Sequence, residues 1–164
     1  MTTGQSEQDM VQKADINPHD KIMPQPGPTL PRAELTTWFA QHAKIGFAIL
    51  FGSFAREPGT VTPHSDVDIA IYTEEELVLL ERGAWITDIE MICERPVDLV
   101  WLNPLPSQDP ALAFEIMSHG QTFFCRENAP YIAFKTFVIL RYLDTAYLRE
   151  QVAAAFEHRY ITSR

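Results

Sequence analysis

The sequence predicts an α/β (α+β) domain: a mixed sheet of about four strands flanked by helices, with a long helix at its C-terminal end. Two observations predict it. The apolar runs "GFAILF", "VDIAIY", "PVDLVWLN" and "QTFFC" are strand-length and bounded by turn residues, and segments with apolar residues at helical spacing lie between and around them. From Tyr131 to Tyr160 the chain also carries neither Gly nor Pro, while Phe134, Val138, Tyr142, Leu148, Val152 and Phe156 recur at helical spacing, which gives one long helix or two.

Taken in order, residues 1–31 are polar and then Pro-rich, with Ile22, Met23 and Leu30 too scattered to form an apolar face, and are expected to be a flexible arm. "RAELTTWFAQHA" sets Leu35, Trp38, Phe39 and His42 on one helical face. "GFAILF" is apolar at consecutive positions, the pattern of a strand buried on both faces, and it runs into Gly52-Ser53. In "VDIAIY" the period of two sends Asp66, Asp68 and Ala70 to one face and Val67, Ile69 and Ile71 to the other. "EEELVLLERGAWITDIEMICER" reads as a helix with an acidic first turn, Leu77, Leu80, Ala84, Ile89 and Ile92 inward, and Gly83 as a point of weakness. Asp109 and Pro110 form an N-cap and first-turn pair, and Gly120 a stop, around a short helix that leads into the edge strand "QTFFC". The expected organisation is an arm over 1–31, a catalytic domain over 32–128 and a helical segment over 129–164 that packs on the domain or on a partner.

A chain of 164 residues suits one domain with a sizeable core. Its net charge of -9 and pI near 4.9 oppose stable binding of duplex nucleic acid, while a single nucleotide held through metal ions is compatible. The charge is uneven: residues 126–164 carry 6 Lys or Arg against 4 Asp or Glu, which makes the C-terminal segment the basic part and a candidate partner surface. Cys93 and Cys125 lack the spacing of a zinc or redox motif and read as buried thiols. Trp38, Trp85 and Trp101 read as core residues, with Trp101 able to border a site on its strand, and His64 as a solvated loop residue. No signal peptide or membrane span is apparent, so a cytoplasmic location is expected.

The chemistry is concentrated in Asp66, Asp68 and Asp98, three carboxylates embedded in apolar strands. Burying an unpaired carboxylate costs several kcal/mol, so such residues require a cation or a wet edge. Alternate strand residues lie roughly 6.6–7 Å apart on one face, which lets Asp66 and Asp68 share a pair of divalent ions with Asp98 closing the site. Oxygen-only ligands favour magnesium or manganese. Gly52 lets a phosphate approach the backbone, and Ser53 adds a hydroxyl beside the N–H groups expected to open a helix at "SFAR". Arg56 either reaches a phosphate or pairs with an acidic neighbour, and Ser65 borders the same site.

This order of elements, carried by "FGSFAR", "SDVDIAIY" and "VDLVWLN", resembles the nucleotidyltransferases of the DNA polymerase beta superfamily. Within it the chain is most similar to the minimal nucleotidyltransferases (MNT), the antitoxin half of MNT and HEPN toxin–antitoxin pairs. The resemblance implies a polymerase-beta-like fold, Gly52 and Ser53 as triphosphate contacts, Asp66 and Asp68 as metal ligands, and Asp98 as the group nearest the attacking hydroxyl. It also implies two Mg2+ ions, ATP as co-substrate, and transfer of AMP to a tyrosine of a HEPN partner held in a hetero-oligomer. Two other readings are transfer to a small-molecule hydroxyl, as in aminoglycoside modification, and neutralisation of a partner by binding alone. Phe54–Ser65 places twelve residues between Ser53 and Asp66, two more than is usual in the family, so the loop around "EPGTVTPH" is where a departure is expected.

Overall fold

The computed structural model describes residues 29–56, 61–62 and 64–151. The arm over 1–28, most of the lengthened loop and the chain beyond Gln151 lie outside the described residues. Helix α1 (Arg32–Gln41) leads into β1 (Ile45–Phe51), a single 3-10 turn (Gly52–Ala55) and β2 (Val67–Thr73). Helix α2 (Leu79–Cys93) then connects to β3 (Val97–Trp101), followed by the short helix α3 (Leu105–Gln108) and α4 (Pro110–His119). Strand β4 (Gln121–Cys125) and α5 (Asn128–Asp144) complete the elements, with helical backbone again over 146–151.

The expected mixed sheet of four strands is present, in the order β3-β2-β1-β4. β1 pairs antiparallel with both β2 and β4, and β2 pairs parallel with β3 through the α2 crossover. The alternation in β1 and β2 divides the core into two layers. Ala48, Leu50, Val67, Ile69 and Ile71 pack with Leu35 and Phe39 of α1 and Trp85, Ile89 and Cys93 of α2. Phe47, Ile49 and Ala70 pack with Ala113, Ile116 and Met117 of α4 and Phe134 and Val138 of α5. The partition of Val67, Ile69 and Ile71 from Ala70 is the one that a period of two requires.

Asp109 caps α4, its Oδ1 accepting from the Leu112 N–H at 2.9 Å. Gly120 ends α4 with extended backbone, and its need for glycine is steric: an added Cβ would lie 2.4 Å from Ile49 Cγ2 and 2.5 Å from the Ile116 carbonyl. Helix α2 starts later than expected, because Glu74–Glu76 precede it and the first-turn acid is Glu81. Glu81 accepts from the Val78 N–H at 3.2 Å and from Lys44 Nζ at 2.7 Å. The inward face of α2 is accordingly Trp85, Ile89 and Cys93, while Leu80 and Ala84 are exposed and Ile92 is half-buried. Gly83 does not interrupt the helix. The outer face of α5 and the turn beyond it leave Ile132, Leu140, Leu143, Tyr147 and Leu148 exposed.

Candidate functional site

Three segments meet at one end of the sheet: the turn after β1, the chain entering β2, and the start of β3. Antiparallel pairing sets Phe51 opposite Asp68, so Gly52 emerges beside that carboxylate. Parallel pairing sets Asp68 opposite Asp98, which puts both on the face shared with Ala70. Asp66 stands one residue before β2. Asp66 and Asp98 are exposed and Asp68 is half-buried. Because the β1–β2 ladder fixes Gly52 against Asp68, their register does not depend on the length of the loop between them.

Gly52 adopts φ +64°, in the left-handed region where glycine alone is unstrained. Its bare Cα is also a contact surface: a Cβ built there would sit 2.0 Å from Asp68 Oδ2 and 2.7 Å from Asp68 Cγ. Burial, then the charges of Asp98 and Asp66, push the Asp68 carboxyl above its usual range. A carboxyl raised by burial and by two acidic neighbours marks surplus negative charge that a divalent cation relieves, and the all-oxygen chemistry of the three residues suits magnesium. Among the described residues no group of three or more His, Cys, Asp or Glu side chains is placed to hold a metal ion. Magnesium is ordinarily held by one or two carboxylates together with substrate phosphates, so the donor set fits a metal that arrives with a nucleotide.

The expected helix after Gly52-Ser53 is a single 3-10 turn, and Arg56 leaves it in extended backbone. Glu57 precedes Pro58 in the sequence, a position that disfavours continuation of a helix. Phe54 anchors the turn in the first core layer, and Gln121 holds its end by donating from Nε2 to the Ala55 carbonyl at 2.8 Å. Arg32 in turn donates to Gln121 Oε1 at 2.9 Å. The β2–β3 register is closed at both ends. Val67 N–H donates to the Pro96 carbonyl at 3.0 Å, and Asn103 brackets Thr73 by accepting from its N–H at 3.0 Å and donating to its carbonyl at 2.7 Å. Gln121 and Asn103 are part of what positions the site, yet as single polar residues at strand ends they carry no sequence signal beyond that of a turn.

Ser65 uses its hydroxyl inside the turn, accepting from the Thr62 N–H at 2.9 Å. Arg56 is exposed and borders a cavity of about 270 Å³ beside Gly52, floored by Phe51, Leu112 and Ile116. At its rim His119 pairs with Glu115 at 3.1 Å. Trp101 packs with the α1–α2 layer, the face opposite to Asp98, under the Arg82 guanidinium. Cys93 is buried, and burial pushes its thiol up to about 11. Cys125 departs from expectation: on β4 it is only half-buried, and among the described residues no further strand pairs with β4 beyond β1. Among the described residues no helix is long and apolar enough to cross a membrane.

Residues 33–129 match the family described as Polymerase beta, Nucleotidyltransferase. Among solved structures, the fold is similar to a chain of a toxin–antitoxin complex with AMP-PNP, at 21% identity over 78% of this chain and 99% of that one, with a TM-score of 0.67. It is similar to a chain of the MntA-HepT toxin–antitoxin complex, at 18% identity over 77% of this chain and 96% of that one, with a TM-score of 0.61. A third likeness is to a chain of the complex of tri-AMPylated Shewanella oneidensis HEPN toxin with MNT antitoxin, at 18% identity over 77% and 95% of the two chains, with a TM-score of 0.60. No curated protein matches the chain. The fold expected from the order of strands and acidic residues is the fold of these structures.

Proposed function

The chain belongs to the polymerase beta nucleotidyltransferase family and is a nucleotidyltransferase; from that premise we propose that it transfers AMP from ATP to a tyrosine hydroxyl of a HEPN-type toxin, acting as the antitoxin in a hetero-oligomer with it. The observation that carries the reading is the facing of Asp68 and Asp98 in one register with the bare Cα of Gly52 against the Asp68 carboxylate. The likeness to chains of toxin–antitoxin complexes supports the choice of partner. So does the exposed apolar face of Ile132, Leu140, Leu143 and Tyr147, a surface suited to cover by another protein.

In this reading Gly52 and Ser53 take the triphosphate, with Arg56 and Ser65 at its border. Asp66, Asp68 and Asp98 would hold magnesium together with the substrate phosphates, and the metal would neutralise those phosphates and make an incoming hydroxyl more acidic. β3 is an edge strand, so Asp98 is open to an acceptor as large as a protein side chain. Asp98 orients the entering oxygen or takes its proton. That oxygen bonds to the α-phosphorus, the bond to the bridging oxygen breaks, and pyrophosphate leaves with the electron pair. The net charge of -9 fits a small nucleotide and a protein acceptor better than a nucleic-acid chain.

The test is incubation with α-labelled ATP, magnesium and the protein encoded by the adjacent reading frame. Label on the partner's tyrosine that disappears in Asp66→Ala/Asp68→Ala supports the proposal. Growth rescue by that double variant at native expression would instead establish neutralisation by binding, and label on an aminoglycoside with none on the partner would establish a small-molecule acceptor.

A further inference from the structure

Arg95 occupies the short turn between α2 and β3 and touches two of the three segments that build the site. Its Nη1 donates to the Ser65 carbonyl at 3.2 Å, and its guanidinium lies 5.2 Å from the centroid of the Phe54 ring. Ser65 immediately precedes Asp66, and Phe54 immediately follows Ser53. The third segment is β3, which begins two residues after Arg95 and carries Asp98. Asp66 and Ser53 both lie outside the strands, one before β2 and the other after β1.

The base of the Arg95 side chain is itself constrained. Glu94 ends α2 with φ +53°, a proline follows Arg95, and the Pro96 carbonyl accepts from the Val67 N–H. The guanidinium is planar, so one face can lie on Phe54 while an edge N–H reaches Ser65, a division of labour that an ammonium cannot reproduce. The far end of the 3-10 turn is held by Gln121 through the Ala55 carbonyl, and Arg95 meets the turn at Phe54, the residue after Ser53. Arg95 as a whole is half-buried.

Resting on the nucleotidyl-transfer reading above, we infer that Arg95 is a positioning residue that ties the Ser53 turn to the Asp66 arm and thereby aligns phosphate and metal ligands. The test is Mn2+ titration, read by the electron paramagnetic resonance of free Mn2+ at saturating α,β-methylene-ATP, on wild type, Arg95→Met, Arg95→Lys and Ile89→Val, each with its melting midpoint. Arg95→Met is expected to weaken Mn2+ binding roughly tenfold to a hundredfold, the range for removing a group that orients a metal ligand, and Arg95→Lys to restore part of it. Ile89→Val, a core truncation in the preceding helix, should lower the midpoint and leave Mn2+ affinity unchanged.

Unchanged Mn2+ affinity in Arg95→Met overturns the inference, as does an equal loss in Ile89→Val. A variant that loses only nucleotide affinity makes Arg95 a phosphate contact and overturns it too. Wild type that binds neither Mn2+ nor the nucleotide defeats the nucleotidyl-transfer reading itself, an outcome distinct from a wild type that binds both and a variant that matches it.

Discussion

Gly52→Ala separates the energetics of the fold from those of the site. The added methyl would stand 2.0 Å from Asp68 Oδ2, so to regain even 3.0 Å the oxygen must retreat by 1.0 Å. Asp68 Cβ is 3.2 Å from the same point, so rotation of the carboxylate away from the turn is the cheapest escape. Holding alanine at φ +64° adds about 1–2 kcal/mol of backbone strain, a drop of several degrees in melting midpoint. The chemistry should suffer more, because a displacement of about 1 Å costs on the order of 100-fold in rate. The assay is AMP transfer to the partner with a thermal melt of the same preparation. Gly83→Ala is the control, since a Cβ at that exposed position of α2 meets nothing within 4 Å. It should stabilise the protein by about 0.5–1 kcal/mol and leave transfer unchanged. Retention of transfer within about threefold in Gly52→Ala would refute the reasoning, since the carboxylate would then tolerate the shift.

Two further outcomes follow from the acidic cluster and the thiols. The raised Asp68 carboxyl means that the folded state holds its proton more tightly than the unfolded chain, so ionisation opposes folding. The penalty is absent below about pH 4, grows as pH rises through the usual carboxylate range, and is complete above the raised folded value. Asp68→Asn should therefore raise the melting midpoint at neutral pH without divalent ions while abolishing transfer; a lower midpoint would show that the carboxylate is a stabilising group. In the native protein a thiol reagent near neutral pH should modify Cys125 and spare Cys93, which reacts only after denaturation, as followed by mass spectrometry.

The β1 and β2 strands and the shared face of Asp68 and Asp98 were legible because a buried strand leaves little freedom, whereas Asp66, read as a strand residue, stands one residue before β2. Apolar neighbours on both sides declare the strand, and a period of two then assigns each carboxylate a face. Asp109 was legible for a similar reason, since its cap is a local interaction. The start of α2 was not. Glu74–Glu76 have the composition of a first turn, but the acid that accepts the terminal N–H is Glu81, also paired with Lys44 across 37 positions of sequence. Leu80 and Ala84, expected inward, face outward, while Trp85 lies in the core as its sequence reading had it. Arg95, Gln121 and Asn103 were silent for another reason: a polar residue in a turn looks the same whether it faces water or clasps a distant carbonyl. The chain beyond Gln151, expected to continue the helix, lies outside the described residues.

Gly120 has a mechanical consequence. With no side chain at that point, the last turn of α4 rests directly on Ile49, and β4 starts in register beside Leu50. The wall of the cavity and the strand that delivers Gly52 are thus one rigid piece, seamed where any methyl would prise them apart. Breathing of the cavity at this wall must therefore carry β1, and with it the position of Gly52.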